Sequence, residues 1–185
     1  MATRDAEATK ARILAAAVAE FAERGLAGGR VDRIAKAASS NVRMIYAYFG
    51  DKSGLFDAAL ATALRRLAHD APPRPDDLTG WAGDVFDHHR RHPDVLRLSL
   101  WAQLERPAAT AEPLDTYADK VELIRRDTPA PFSPVDLLVI VYAIAQAWFV
   151  SPTGLTALEG APDDEERIAA HRAAVVAAVE RILHR

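Results

Sequence analysis

The chain of 185 residues contains no cysteine. That absence excludes disulfides, a cysteine nucleophile and thiolate metal sites, while leaving the cellular compartment open. No apolar run is long enough to span a bilayer comfortably, because the best candidate, Leu137 to Val150, falls short of the roughly 20 residues required. The charged start around Arg4 and Asp5 is not followed by the apolar core of a signal peptide, so a cytoplasmic location is expected. There is also no internal repeat and no extended apolar–polar alternation, which makes a sheet unexpected. Finally, a large basic excess is missing: the formal net charge is -3.

What is present is half hydrophobic and 26% charged, a balance that specifies a folded chain. The length suits one core, or a small head and a larger body that share packing. Charge is divided unevenly. Residues 1–70 carry 11 Lys and Arg against 8 Asp and Glu, whereas residues 71–185 carry 12 against 18. A weakly basic head on an acidic body can still dock to phosphates, since surface fields are screened over about 10 Å and the local field decides.

Helical periodicity begins near Glu7, with Ile13, Leu14, Ala17, Val18 and Phe21 on one face, and Gly25 offers a stop. Val31, Ile34, Ala35 and Ala38 form the apolar side of a second, short helix. Ser39, Ser40 and Asn41 suit a tight turn, with Asn41 as N-cap of a third helix over Val42 to Tyr48. Ile45 and Phe49 should point inward, leaving Val42, Arg43, Met44, Ala47 and part of Tyr46 toward solvent or a partner. Gly50 ends that helix, and Asp51 caps a longer fourth one with the stripe Leu55, Phe56, Ala59, Leu60, Ala63, Leu64 and Leu67. Two short helices joined by a tight turn and braced by longer ones make a helix-turn-helix.

A proline-rich break at residues 71–76 precedes five further helices, at roughly Leu78 to His92, Pro93 to Glu105, Glu112 to Arg126, Pro134 to Val150 and Asp163 to Leu183. The fold class read from this pattern is all-α. Two parts are expected: residues 1–50 as the helix-turn-helix head, a candidate to bind DNA, and residues 51–185 as a connecting helix with a larger helical body, a candidate for ligand binding and dimerisation.

The third helix has the size and chemistry to enter a major groove about 12 Å wide. Arg43, Tyr46 and Tyr48 lie near one another on it, and Lys52 follows. Arg43 is placed to meet a guanine edge, the two tyrosines to meet backbone or sugar, and Lys52 to neutralise a phosphate. The alternative is that three short helices are one lobe of a helical bundle.

The segment from Ile34 to Phe56 resembles the signature of the tetracycline-repressor (TetR/AcrR) family. Ile34-Ala35 match the pair that opens the core of the second helix, Tyr46 and Phe49 the residues that close the third, and Lys52 and Leu55 the start of the fourth, with Phe21 matching on the first helix. The chain departs from the pattern at the turn, where Ser39-Ser40-Asn41 replace Gly-Val-Ser, and at Met44, where a threonine is common. Arg30 stands where Thr or Ser opens the second helix and is counted with the DNA-facing residues. The resemblance implies a transcriptional regulator bound to double-stranded operator DNA, usually a repressor, whose affinity a small molecule alters. It implies no catalytic activity and no cofactor.

In the body, Trp101, Gln103, Tyr117, Tyr142, Gln146 and Phe149 are candidates to line a site for an apolar or aromatic effector, in the usual mixture of rings with a few polar groups. Sequence alone does not separate this from rings that only fill a core. A homodimer through the last two long helices is expected from the apolar surface of Leu137, Leu138, Val141, Ala145 and Trp148 with Ala169, Ala173, Val176, Val179 and Leu183. His88, His89 and His92 are expected to be solvated, without a third metal ligand at diagnostic spacing beyond a possible Asp84. The acidic run Asp163 to Glu166 fits helix capping. A helical enzyme or metal-binding protein, and an interaction module that does not bind DNA, are the competing classes.

Overall fold

The computed structural model describes residues 2–107 and 114–183. Its helices are α1 (Ala2–Gly28), α2 (Val31–Ala37), α3 (Val42–Phe49), α4 (Lys52–Asp70), α5 (Leu78–Arg91), α6 (Pro93–Glu105), α7 (Leu114–Ile124), α8 (Pro134–Val150), α9 (Thr153–Thr156) and α10 (Glu165–Leu183). No strand occurs among the described residues. The chain divides into two compact units, the first made of Met1–Arg66 with Pro93–Leu114 and the second of Leu67–His92 with Asp115–Arg185.

In the first unit, Ile13, Ala17 and Phe21 recur every fourth residue on α1 and are fully buried, as are Ile34 of α2, Ile45 of α3 and Phe56 of α4. The rings of Phe21 and Phe56 meet edge to face at 5.1 Å between centroids, a favourable aromatic geometry. Short helices α2 and α3 have too few turns to persist alone, so this shared core holds them. The helix begins at Ala2, earlier than the periodicity near Glu7 suggests, and Gly25 breaks it as a kink rather than a stop.

That kink has a local cause. Gly25 sits at φ 67°, and a Cβ there would come within 2.8 Å of the Trp101 ring and of the Glu105 carboxylate. Beyond it the amides of Leu26 and Ala27 lose their helical acceptors, and the Glu105 carboxylate of α6 accepts from both, at 2.5 and 3.2 Å. Arg106, just past α6, pairs with Asp57 of α4 and lies over the Phe56 ring.

In the second unit α5, α8 and α10 pack on one another around Trp81, Val85, Phe86, Leu137, Val141, Ala145 and Val179, each at most 1% exposed. Caps define the ends: Asp77 Oδ1 accepts from Gly80 at the start of α5, and Ser133 with Asp136 forms a capping box on α8 with Pro134 at its first turn. Asp164 accepts from the amides of Glu166 and Arg167, so part of the acidic run does cap α10. A single 3-10 turn at Pro75–Asp77 and the short α9 were not legible as periodic segments. Helix α7 begins at Leu114, and Glu112 lies outside the described residues.

Two expectations need correction. Leu137, Leu138, Val141, Ala145 and Val179 are buried within the chain and are not available as an outer surface. The apolar residues that α8 does expose are Val135, Val139 and Val150, at 54%, 61% and 50%. On a helix apolar nearly all round, composition cannot say which stripe the chain's own neighbours cover. The histidines also differ: His88 and His89 are 0% and 1% exposed, because α5 turns that side toward the interior of the unit.

Candidate nucleic-acid interface and effector cluster

The turn between α2 and α3 is built from Ser39, at φ 48°, and Ser40. Asn41 then leaves extended backbone and its Oδ1 accepts from the Met44 amide at 2.8 Å, the hydrogen bond that fixes where α3 starts. Gly50, at φ 79°, ends the helix. With Ile45 fully buried and Phe49 half-buried, the opposite side carries Arg43, Met44, Tyr46 and Ala47, all exposed. Val42 and Tyr48 are half-buried at the borders of that side.

Cations around α3 are held in different ways. Arg30 spans both oxygens of Asp32 at 3.0 and 2.9 Å, which keeps the Asp32 carboxyl below its ordinary range. Arg33 binds Glu20 from α1 through its Nε at 2.8 Å, lowering the acid and raising the base. Lys52 donates to the Ala27 carbonyl at 3.1 Å, so one of its three donors is used at the last turn of α1 while the side chain stays at the surface. Arg43 is exposed on the side of α3 opposite Ile45.

The six residues expected around an effector fall into both units. Trp101 packs against the Gly25 kink in the first unit, and Gln103 is exposed on α6. The remaining four belong to the second unit. Tyr142 stands edge to face with Trp81 at 5.5 Å, Phe149 contacts Phe86 at 5.1 Å, and Gln146 lies 3.2 Å from His89 Nε2. Tyr117 and Tyr142 flank a residue the sequence reading missed. Lys120 of α7 is 6% exposed, its ammonium 5.9 and 5.3 Å from the two ring centroids, and it donates to the Tyr142 hydroxyl at 2.6 Å.

Burial dominates the electrostatics of this cluster. It pushes the Lys120 ammonium down to about 8, pushes the Tyr142 hydroxyl up, and, with the neighbouring charge of His88, lowers His89 to about 4. The signal for Lys120 was its spacing: Tyr117, Lys120 and Ile124 share a helical face. Because Lys120 is charged in both states below pH 8 and neutral in both above 10.5, its burial penalty is complete at pH 7 and disappears as pH rises through that window. Lys120→Met should therefore raise stability at pH 7 by on the order of 2–3 kcal/mol. Urea melts at pH 7 and pH 10 check it: the gain from the substitution must shrink at the higher pH.

Comparison with known proteins gives a consistent result over most of the chain. Residues 13–59 match the family model of bacterial regulatory proteins of the tetR family, and residues 77–181 match the tetracyclin repressor-like C-terminal domain. The HTH-type transcriptional repressor SCO4008 of Streptomyces coelicolor is 43% identical over 176 residues, covering 88% of this chain and 90% of that protein. The HTH-type transcriptional repressor NicS of Pseudomonas putida is 35% identical over 100 residues, half of this chain and 47% of that one. Among solved structures, the transcriptional regulator SCO4942 from Streptomyces coelicolor superposes with a TM-score of 0.80 at 35% identity, over 94% of this chain and 97% of that chain.

Proposed function

From the premise that the chain belongs to the TetR family of bacterial regulatory proteins and is a DNA-binding transcriptional regulator, we propose that it is a repressor that reads operator DNA through α3 and is released by a small effector. The observation that carries the reading is the division of α3. Asn41 fixes its start, Ile45 seats it in the core, and Arg43, Met44, Tyr46 and Ala47 are left exposed together. A guanidinium beside apolar and phenolic groups, on a helix of two turns, has what base edges and thymine methyls require. Val42 and Tyr48 border this face, and Lys52 supplies a phosphate contact with its remaining donors. Arg30 acts with Asp32 as a neutral pair and adds backbone positioning only if that pair opens.

The active species is a two-fold dimer. Val135, Val139 and Val150 of α8 and the exposed alanines Ala169, Ala170, Ala173 and Ala174 of α10 are its interface. Small side chains allow close helix approach, and a two-fold axis lets each patch cover its own copy. Two heads on one dimer match two half-sites.

The effector is a predominantly apolar, aromatic molecule carrying an acceptor for the Lys120 ammonium, recognised in the second unit near Tyr117, Tyr142, Gln146 and Phe149. A buried cation between two rings is costly unless something occupies it, and a ligand acceptor offsets that cost. Such a ligand lowers DNA affinity only by binding the DNA-incompetent state more tightly.

Titrating the protein with genomic fragments at two salt concentrations tests the reading. A repressor selects particular fragments, loses affinity as salt rises, and is displaced by members of an aromatic-acid panel. Selection of fragments without displacement by any member would leave a DNA-binding regulator but remove this effector class. Equal, unselective binding would remove α3 as a reading element.

A further inference from the structure

Asp70, at the last residue of α4, His88 of α5 and His92 at the C-cap of α5 each bring one ligand atom into a group within 4.8 Å of one another. We propose that these three residues form a binding site for a divalent transition-metal ion, of the zinc, nickel or cobalt class. The two histidines are four residues apart across the last turn of α5 and its C-cap, their ring centroids 4.8 Å apart. His88 Nδ1 lies 3.6 Å from Asp70 Oδ2. Around an ion with bonds near 2.0 Å the donor atoms of a tetrahedral site stand about 3.3 Å apart, so the widest pair of the group has to close by up to about 1.5 Å to hold a metal.

Placement supports that contraction. His88 is wholly buried and fixed, whereas His92 is half-buried at the C-cap of α5 and the Asp70 side chain is 28% exposed. The two more accessible ligands are the ones that must move. Asp70 is also oriented from behind: His69 Nδ1 lies 3.1 Å from its other oxygen, Oδ1. The next residue, Ala71, accepts from the buried Trp81 Nε1 at 2.9 Å, which ties the end of α4 to α5 one residue from the carboxylate. Support of the ligands by neighbouring groups is the arrangement metal sites use.

The donor set narrows the ion. Two imidazoles and one carboxylate suit zinc, nickel, cobalt or copper, and are a poor match for calcium or magnesium, which take oxygen ligands. Three protein ligands, with one side toward solvent, leave a coordination position for water. Asp84, one turn before His88 on α5, does not take part: it pairs with Arg74 at 3.0 Å. The third ligand comes instead from 18 residues before His88, on another helix, and no local spacing rule reveals it.

The test uses the full chain, stripped with a chelator and titrated with Zn2+ and, for its visible d–d absorption, Co2+. One ion per chain is expected, with a melting temperature about 5–10 °C higher at a hundredfold excess over the dissociation constant. Asp70→Asn and His92→Gln should each weaken binding by at least roughly tenfold, the lower bound for loss of a supporting group, with helical content unchanged. His88→Gln is avoided as the sole variant because a buried histidine also shapes the core. His69→Gln, which removes the exposed histidine that orients Asp70, should weaken binding less than either ligand substitution. No saturable uptake at micromolar Zn2+, uptake indifferent to both Asp70→Asn and His92→Gln, or loss that follows only His69→Gln would each overturn the proposal.

Discussion

Replacing Arg43 with alanine is expected to relax the operator preference at one base pair in each half-site, with about 1–3 kcal/mol of discrimination lost there. The expectation follows from how the cations of the head are engaged. Arg30 is committed to Asp32 and Arg33 to Glu20, while Arg43 stands exposed one residue into α3 on the side opposite Ile45. A forked guanidinium there can meet the two acceptors of a guanine edge, and alanine can meet neither. Lys52→Ala is the contrasting arm. Its ammonium serves the Ala27 carbonyl with one donor, and if the phosphate contact proposed for the others holds, its loss should weaken all sequences alike and reduce the salt slope by roughly 0.9 per subunit. Operator libraries titrated over a salt series separate the two. Unchanged preference after Arg43→Ala would take base reading away from this residue, and an equal loss on every sequence would reassign it to phosphate.

Val139→Asp should break the dimer and, with it, operator binding. Val139 is 61% exposed in the single chain and lies between Val135 and Val150 on the free stripe of α8. In a two-fold interface the new carboxylate is buried twice and faces its own copy, with no cation on this stripe to pair it. Sedimentation should fall from about 40 kDa to the 20.1 kDa of one chain. A single head then engages a half-site without its tethered partner, and the loss of effective concentration costs about 100- to 10,000-fold in operator affinity. Val141→Ala is the control, since Val141 is buried inside the unit: it should lower stability and leave the mass unchanged. A dimer that survives Val139→Asp would move the interface elsewhere.

Much of the head could be read from the sequence because its signals are local. The Asn41 cap, the Gly50 stop and the seating of Ile45 each depend on residues within a turn or two of one another, and all are present. The arrangement of Gly25 could be anticipated only in part. A glycine signals a stop, but the carboxylate that accepts from the following amides belongs to Glu105, 79 residues after Leu26. The body was less legible for the same reason. Helix α8 is apolar on nearly every side, so Leu137 and Val139 look alike until α5 and α10 cover one and leave the other. His88 and His92 announce a shared face at i and i+4, whereas the burial of the first and the arrival of Asp70 are set by tertiary packing. Lys120 is the converse case. A lysine is read as solvent-facing by default, and only its register with Tyr117 and Ile124 hints that its ammonium ends among rings.

The first compact unit is discontinuous in the chain: it takes Met1–Arg66 and then α6 from Pro93 onward. A chimera that transplants only residues 1–66 onto a foreign body would leave behind Trp101, Glu105 and Arg106. The amides of Leu26 and Ala27 would then lose their acceptor, and Asp57 and the Phe56 ring would lose the guanidinium beside them. Modularity in this protein therefore has a grammar of its own, in which the portable word for DNA recognition is split and its second syllable is spelled by α6.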